Sequence, residues 1–94
     1  MIPRCNMKLC GEFIVRQVMD NIVAIPVGQT ALWLNGMILL NDVSKIIWDC
    51  LEQGTNLESI VKAVTDAFDV SADEAQTDIS EFCDKLRKLQ LLVE

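Results

Sequence analysis

This 94-residue sequence contains no histidine and no tyrosine. Histidine is the commonest general base at neutral pH and the commonest protein ligand for transition metals. The four glycines, Gly11, Gly28, Gly36 and Gly54, are isolated, so there is no glycine-rich loop of the kind that binds phosphate. No group of residues supplies a base, a nucleophile and a stabilising group together. We therefore expect a protein without enzymatic activity.

The cysteines do not have the spacing of a metal site. Zinc sites usually contain a Cys-x-x-Cys pair. Cys5 and Cys10 are instead separated by four residues, and Cys50 and Cys83 are predicted to lie on different helices. This pattern predicts no metal and no cofactor. The sequence also has no run of about 18 apolar residues and no apolar core of a signal peptide, which predicts a cytoplasmic protein with reduced thiols.

The chain is acidic, with a net charge of -6 and a pI of about 4.4. An acidic surface repels phosphate backbones and anionic lipid, so neither nucleic acid nor a membrane is expected as a partner. Lys85, Arg87 and Lys88 cluster at the end of the last predicted helix, where cations complement the helix dipole. The hydrophobic fraction of 51% predicts a folded domain.

Short strands are predicted in the first half of the chain. Residues 1–11 show no periodicity and are expected to form a flexible tail, followed by one domain over residues 12–94. The alternation of Phe13–Val18 predicts a strand, and residues 22–27 supply its returning partner. Asn35-Gly36 suits a two-residue turn, so residues 31–34 are expected to pair with the apolar residues 37–40. The sequence leaves open which edge of residues 37–40 is free.

Three amphipathic helices are predicted in the second half. Asn41 is the expected N-cap of the first helix. Thr55 with Glu58, and Ser71 with Glu74, form the expected capping boxes of the second and third helices. Apolar residues recur at helical spacing in all three helices, and in the third they are Ala75, Ile79, Phe82, Leu86 and Leu89. Short antiparallel strands followed by three helices predict an α+β fold, with a helix-turn-helix-like corner between the last two helices.

The structural role of each of the two tryptophans can be interpreted in two ways. Trp33 lies on the strand predicted over residues 31–34, and Trp48 lies beside the apolar stripe of the first predicted helix. Packing at the edge of the core is the more frequent role of an aromatic side chain. The alternative is that one of them forms a wall of a peptide groove.

Several short motifs occur in a recognisable order. Leu40-Asn41-Asp42-Val43 opens the first predicted helix, and Ile47-Trp48 follows a turn and a half later. The opening strands are Phe13-Ile14-Val15-Arg16 and Ile25-Pro26-Val27-Gly28. Ser71-x-x-Glu74 begins the last helix, and Leu91-Leu92 follows that helix. Over about residues 12–93 this arrangement resembles the PqqD family. The tail with Cys5 and Cys10 lies outside the resemblance, and its role is left open.

The resemblance implies a winged helix-turn-helix-like recognition element for ribosomally made, post-translationally modified peptides. Such a domain binds the leader of a precursor peptide as an added strand and presents the precursor to a modifying enzyme, often a radical-SAM protein. A homodimer is left open. The leader is expected beside residues 37–40, in a cleft walled by the third helix. The candidate peptide-binding residues are Met37, Ile38, Leu39, Leu40, Ile79, Phe82, Cys83, Leu86 and Arg87.

Two other classes of function share part of this pattern. A winged-helix DNA-binding regulator would need a basic recognition helix, whereas the last predicted helix opens with acidic residues. An acyl carrier protein would need an Asp-Ser-Leu attachment motif at a helix start, where this chain has Asp42-Val43-Ser44. The DNA-binding regulator is retained as the alternative function.

Overall fold

The computed structural model of the chain describes residues 7–34 and 36–93. The elements follow one another as β1 (Lys8–Leu9), β2 (Phe13–Val18), β3 (Asn21–Pro26), α1 (Thr30–Trp33), β4 (Ile38–Leu40), α2 (Asp42–Gln53), α3 (Leu57–Ala67), α4 (Ala72–Lys88) and β5 (Leu92–Val93). The predicted α+β class, with antiparallel strands before the main helices, is confirmed. The likeness to a winged helix-turn-helix is loose.

The main sheet has three antiparallel strands in the order β2-β3-β4. β2 has the predicted bounds and turns into β3 through Met19-Asp20, so β3 begins one residue before the predicted strand. β4 lies against the other side of β3, with Ile22 opposite Leu40 and Ala24 opposite Ile38. Pro26, which has no amide N–H, ends β3, so no hydrogen bond in the middle of the ladder is lost.

The prediction of a strand over residues 31–34 is wrong. Thr30–Trp33 forms the one-turn helix α1, in which the Leu34 N–H donates to the carbonyl of Thr30. The buried Thr30 hydroxyl accepts a hydrogen bond from the Glu12 N–H at 2.7 Å, which fixes α1 beside the start of β2. A four-residue apolar run does not by itself distinguish a strand from a helical turn.

The described part of the predicted tail belongs to the fold. β1 pairs with β5 at the other end of the chain, and Met7 is buried in the core and pairs with Thr55 through two backbone hydrogen bonds. The Cys10 N–H donates to the carbonyl of Leu91 at 2.7 Å. The flexible tail predicted over residues 1–11 is therefore wrong from Met7 onward, and residues 1–6 lie outside the described residues.

Side-chain caps fix the starts of the three long helices. Asn41 accepts a hydrogen bond from the Ser44 N–H at 2.8 Å, as predicted for α2, and Ser71 accepts one from the Glu74 N–H at the start of α4. The prediction for α3 is wrong by one residue, since Asn56 accepts from the Ser59 N–H. Thr55 is instead the residue that pairs with Met7.

One hydrophobic core joins the inner face of the sheet to α2, α3 and α4. Ile47, Trp48 and Leu51 of α2 lie at its centre and are fully buried. The outer face of the sheet keeps large apolar side chains exposed, among them Ile14, Val18 and Leu39. Among the described helices, none is long and apolar enough to cross a membrane.

Candidate functional site

β4 is an edge strand with alternating burial. Ile38 and Leu40 are each 4% exposed and face the core, whereas Leu39 is 62% exposed on the outer face. Met37, just before β4, is also exposed. β3 occupies one edge of β4, and no strand in residues 7–34 and 36–93 pairs with the other. The open edge is therefore the one away from β3.

The backbone of Leu39 faces this open edge. Hydrogen bonding alternates along an antiparallel ladder, and the two-residue turn between β2 and β3 starts the alternation with a bonded pair. Ile22 and Ala24 therefore direct their amide groups toward Leu40 and Ile38 of β4. The amide groups of Leu39 point the opposite way, where an added strand would meet them.

A groove of about 390 Å³ begins where β4 ends and runs between the start of α2 and the middle of α4. Asn41, the residue directly after β4, belongs to its lining, so the groove adjoins the end of the open edge. Its apolar base is formed by Val43, Ile47 and Phe82. Its remaining lining is polar or charged and consists of Asn41, Ser44, Asp78, Glu81 and Lys85.

The rotation of α4 decides which of its residues border the groove. Asp78, Glu81, Phe82 and Lys85 recur at helical spacing on the flank that faces α2. Phe82 lies where this flank meets the core face, and it is the one predicted site residue on α4 that lines the groove.

The other predicted residues of α4 do not line the groove. Ile79, Cys83 and Leu86 are buried in the core. Arg87 forms an ion pair with Asp84 at 2.7 Å and follows Asp78 by about two and a half helical turns, which places it on the opposite side of α4. The expected cleft border of Cys83 and Arg87 thus lies on the other flank of the core stripe.

The two tryptophans have different positions. Trp48 is fully buried and packs edge-to-face on Phe13, with ring centroids 5.1 Å apart. Trp48 therefore packs in the core, as predicted, but at its centre and not at its edge. Trp33 is half exposed on α1 and does not line the groove. Within the described residues, neither tryptophan forms a wall of it.

Cys50 lies on α2, three residues after the groove residue Ile47. Burial, together with the charge of Asp49, raises the pKa of the Cys50 thiol, so it stays protonated at neutral pH. Cys10, Cys50 and Cys83 form no disulfide bond, and no three ligating side chains cluster among residues 7–34 and 36–93. Cys5 lies outside the described residues, and the absence of a metal stays a prediction.

The fold and the groove define a small α+β domain with an open strand edge beside a helical wall. The sequence model of the PqqD family, coenzyme PQQ synthesis protein D, matches residues 18–92. The chain therefore belongs to the PqqD family. This confirms the resemblance inferred from the motifs.

One solved structure is similar over nearly the whole chain. It is TbiB1 in complex with the TbiA(beta) leader peptide, with a TM-score of 0.68 and 24% sequence identity. The match covers 90% of this chain and 93% of TbiB1. At this identity the likeness concerns the fold. No curated protein matches the sequence.

Proposed function

We propose that this protein binds the leader of a ribosomally made precursor peptide as a strand added to β4. The observation that carries the proposal is the outward-facing backbone of Leu39 at an edge that no described strand covers. An uncovered edge favours pairing with another chain. Strand addition gives affinity through main-chain hydrogen bonds and specificity through alternate side chains.

The groove between α2 and α4 supports this proposal. A peptide that continues past the end of β4 reaches the apolar base formed by Val43, Ile47 and Phe82. Membership of the PqqD family adds support, as does the leader peptide bound to the similarly folded TbiB1.

The alternative of DNA binding has less support. A recognition helix inserts its N-terminal residues into the major groove, and α4 carries Asp73, Glu74, Asp78 and Glu81 before its first basic residue. Carboxylates at these positions repel phosphate. The structure offers no basic surface on this helix before Lys85.

The proposed role also includes a place in the cell and a partner enzyme. We propose that the protein acts in the cytoplasm, where the ribosome releases the precursor, and that it presents the core of the precursor to a modifying enzyme such as a radical-SAM protein. That the protein has no catalytic activity stays a prediction. Whether it forms a homodimer stays open. The precursor gene is expected near the gene of this protein.

Amide exchange tests the proposed strand addition. The probe is a synthetic leader from the precursor encoded beside this gene. We expect the leader to slow exchange at Leu39, whose amide faces the open edge. The amides of Ile38 and Leu40 are already bonded to β3 and serve as internal controls. Protection confined to α3 would contradict the proposal.

N-methylation of the leader gives an independent measurement. In an added strand only every second amide faces β4. We therefore expect single N-methyl groups along the bound segment to weaken binding in a period of two, as measured by calorimetric titration. Equal effects at consecutive positions would rule out a strand.

A further inference from the structure

The surroundings of the groove are acidic. Three further hollows adjoin the groove, one sharing Asn41, one sharing Asp78, and one sharing Glu81 and Lys85. The ionisable residues that line these four surfaces are seven carboxylates and two lysines, Lys85 and Lys88. The carboxylates are Asp20, Asp42, Asp73, Glu74, Asp78, Glu81 and Asp84. We call Asp78 and Glu81, which line the groove itself, the acidic rim.

The acidic rim has no ion-pair partner within the described part of the chain. Elsewhere on the helices, Lys45 pairs with Asp49 at 2.6 Å, and Arg87 pairs with Asp84. Glu81 and Lys85 have the same i,i+4 spacing as Lys45 and Asp49, yet they form no ion pair. The rim carboxylates therefore remain available to a bound peptide.

The helix dipole does not account for these carboxylates. Asp73 and Glu74 lie in the first turn of α4, where negative charge is favourable. Asp78 and Glu81 lie in the middle of this 17-residue helix, and the influence of the dipole falls off within the first and last turns. Asp78 and Glu81 have in common that both line the groove.

The following inference rests on the proposed function. We infer that the leader bound in this groove is basic where it passes the acidic rim. The leader places an apolar side chain on the base formed by Val43, Ile47 and Phe82, and a Lys or Arg close to it in sequence meets Asp78 and Glu81. Charge complementarity of this kind selects among partners and speeds association. The acidic rim is thus a determinant of leader specificity.

A selection from random peptides tests this inference and does not require the natural leader. Dodecapeptides displayed on phage are selected on the immobilised full-length chain at low salt. We expect the selected peptides to be enriched in Lys or Arg near an apolar residue. Synthetic copies are expected to bind the double variant Asp78→Asn/Glu81→Gln about tenfold more weakly than the wild type.

The matched control removes the same two charges elsewhere. Asp66→Asn/Asp69→Asn changes exposed carboxylates that line none of the four surfaces, and we expect it to bind the selected peptides like the wild type. Equal weakening in both double variants would show that net charge alone attracts the peptides, which would overturn the inference.

The same peptides distinguish this inference from the proposed function. Selected peptides that slow amide exchange at Leu39 but carry no enriched cation would overturn the basic leader and leave strand addition intact. Peptides that leave exchange at Leu39 unchanged would count against the proposed function itself.

Discussion

Met19 holds a backbone conformation that its side chain disfavours. Its φ is +56°, in the left-handed region, and it forms the β2–β3 turn together with Asp20. The Met19 side chain is 89% exposed, so no packing compensates for this conformation. The residue is tolerated because the ladder on both sides of the turn fixes the position of the chain.

We expect Met19→Gly to raise the free energy of unfolding by about 0.5 kcal/mol. Glycine adopts positive φ without steric cost, which outweighs its greater entropy in the unfolded chain. Thermal and urea unfolding measure the change. Asp20→Gly is the control, because Asp20 is not at positive φ and should lose stability. A Met19→Gly variant less stable than the wild type would contradict the argument.

At the scale of elements, β1 and β5 connect the two ends of the described chain. This two-stranded sheet and the pairing of Met7 with Thr55 hold the N-terminal segment against the connection between α2 and α3. Gly54, at φ +82°, ends α2 there, and its conformation favours glycine. The N-terminal segment therefore contributes directly to the core.

We expect Met7→Ala to lower the free energy of unfolding by about 2–3 kcal/mol, because it leaves a cavity beside the core. Met37→Ala is the matched control. Met37 is 58% exposed, whereas Met7 is 6% exposed, so the control should stay within about 0.5 kcal/mol of the wild type. Urea unfolding measures the free energy of unfolding of both variants. Equal values for Met7→Ala and Met37→Ala would place Met7 outside the core.

At the scale of the whole molecule, a single core links the open edge to the helices. Ile38 and Leu40 of β4 pack in the same cluster as Leu51 of α2 and Leu86 of α4. Unfolding of the core therefore also removes the edge and the groove. A ligand that binds this site binds the native state and not the unfolded chain.

We expect a leader at a hundred times its Kd to raise the free energy of unfolding by about 2.7 kcal/mol. Urea unfolding with and without the leader measures this difference. A leader carrying N-methyl groups at the positions that face β4 is the control and should have no effect. A saturating leader that leaves the unfolding midpoint unchanged would show that binding does not require the folded site.

Local patterns predicted the elements wherever the decisive interactions are local. The alternation of β2, the apolar stripes of the long helices and the side-chain caps at Asn41 and Ser71 are all formed within a few residues of sequence. The α3 cap was missed by one residue because Thr55 and Asn56 both suit an N-cap. The pairing of Thr55 with the distant Met7 left that role to Asn56.

The candidate site was predicted in part. The strand predicted over residues 37–40 forms as Ile38–Leu40, and Phe82 lines the groove, because an unbroken apolar run and a helical stripe are visible in the sequence. Periodicity gives the centre of a stripe but not which of its two flanks meets a neighbouring helix. The polar flank of Asp78, Glu81 and Lys85 was therefore missed, although its i, i+3, i+7 spacing is visible in the sequence.

The sequence by itself determined β2, β3, β4 and the three long helices, since these depend on short-range hydrogen bonds and on the burial of periodic apolar faces. Only the tertiary structure decided that β3 occupies one edge of β4, that Met7 packs in the core and that α4 turns its acidic flank toward α2. Each of these depends on contacts between residues far apart in the chain. The free energy of these contacts depends on how whole elements pack, and a short stretch of sequence does not specify this packing.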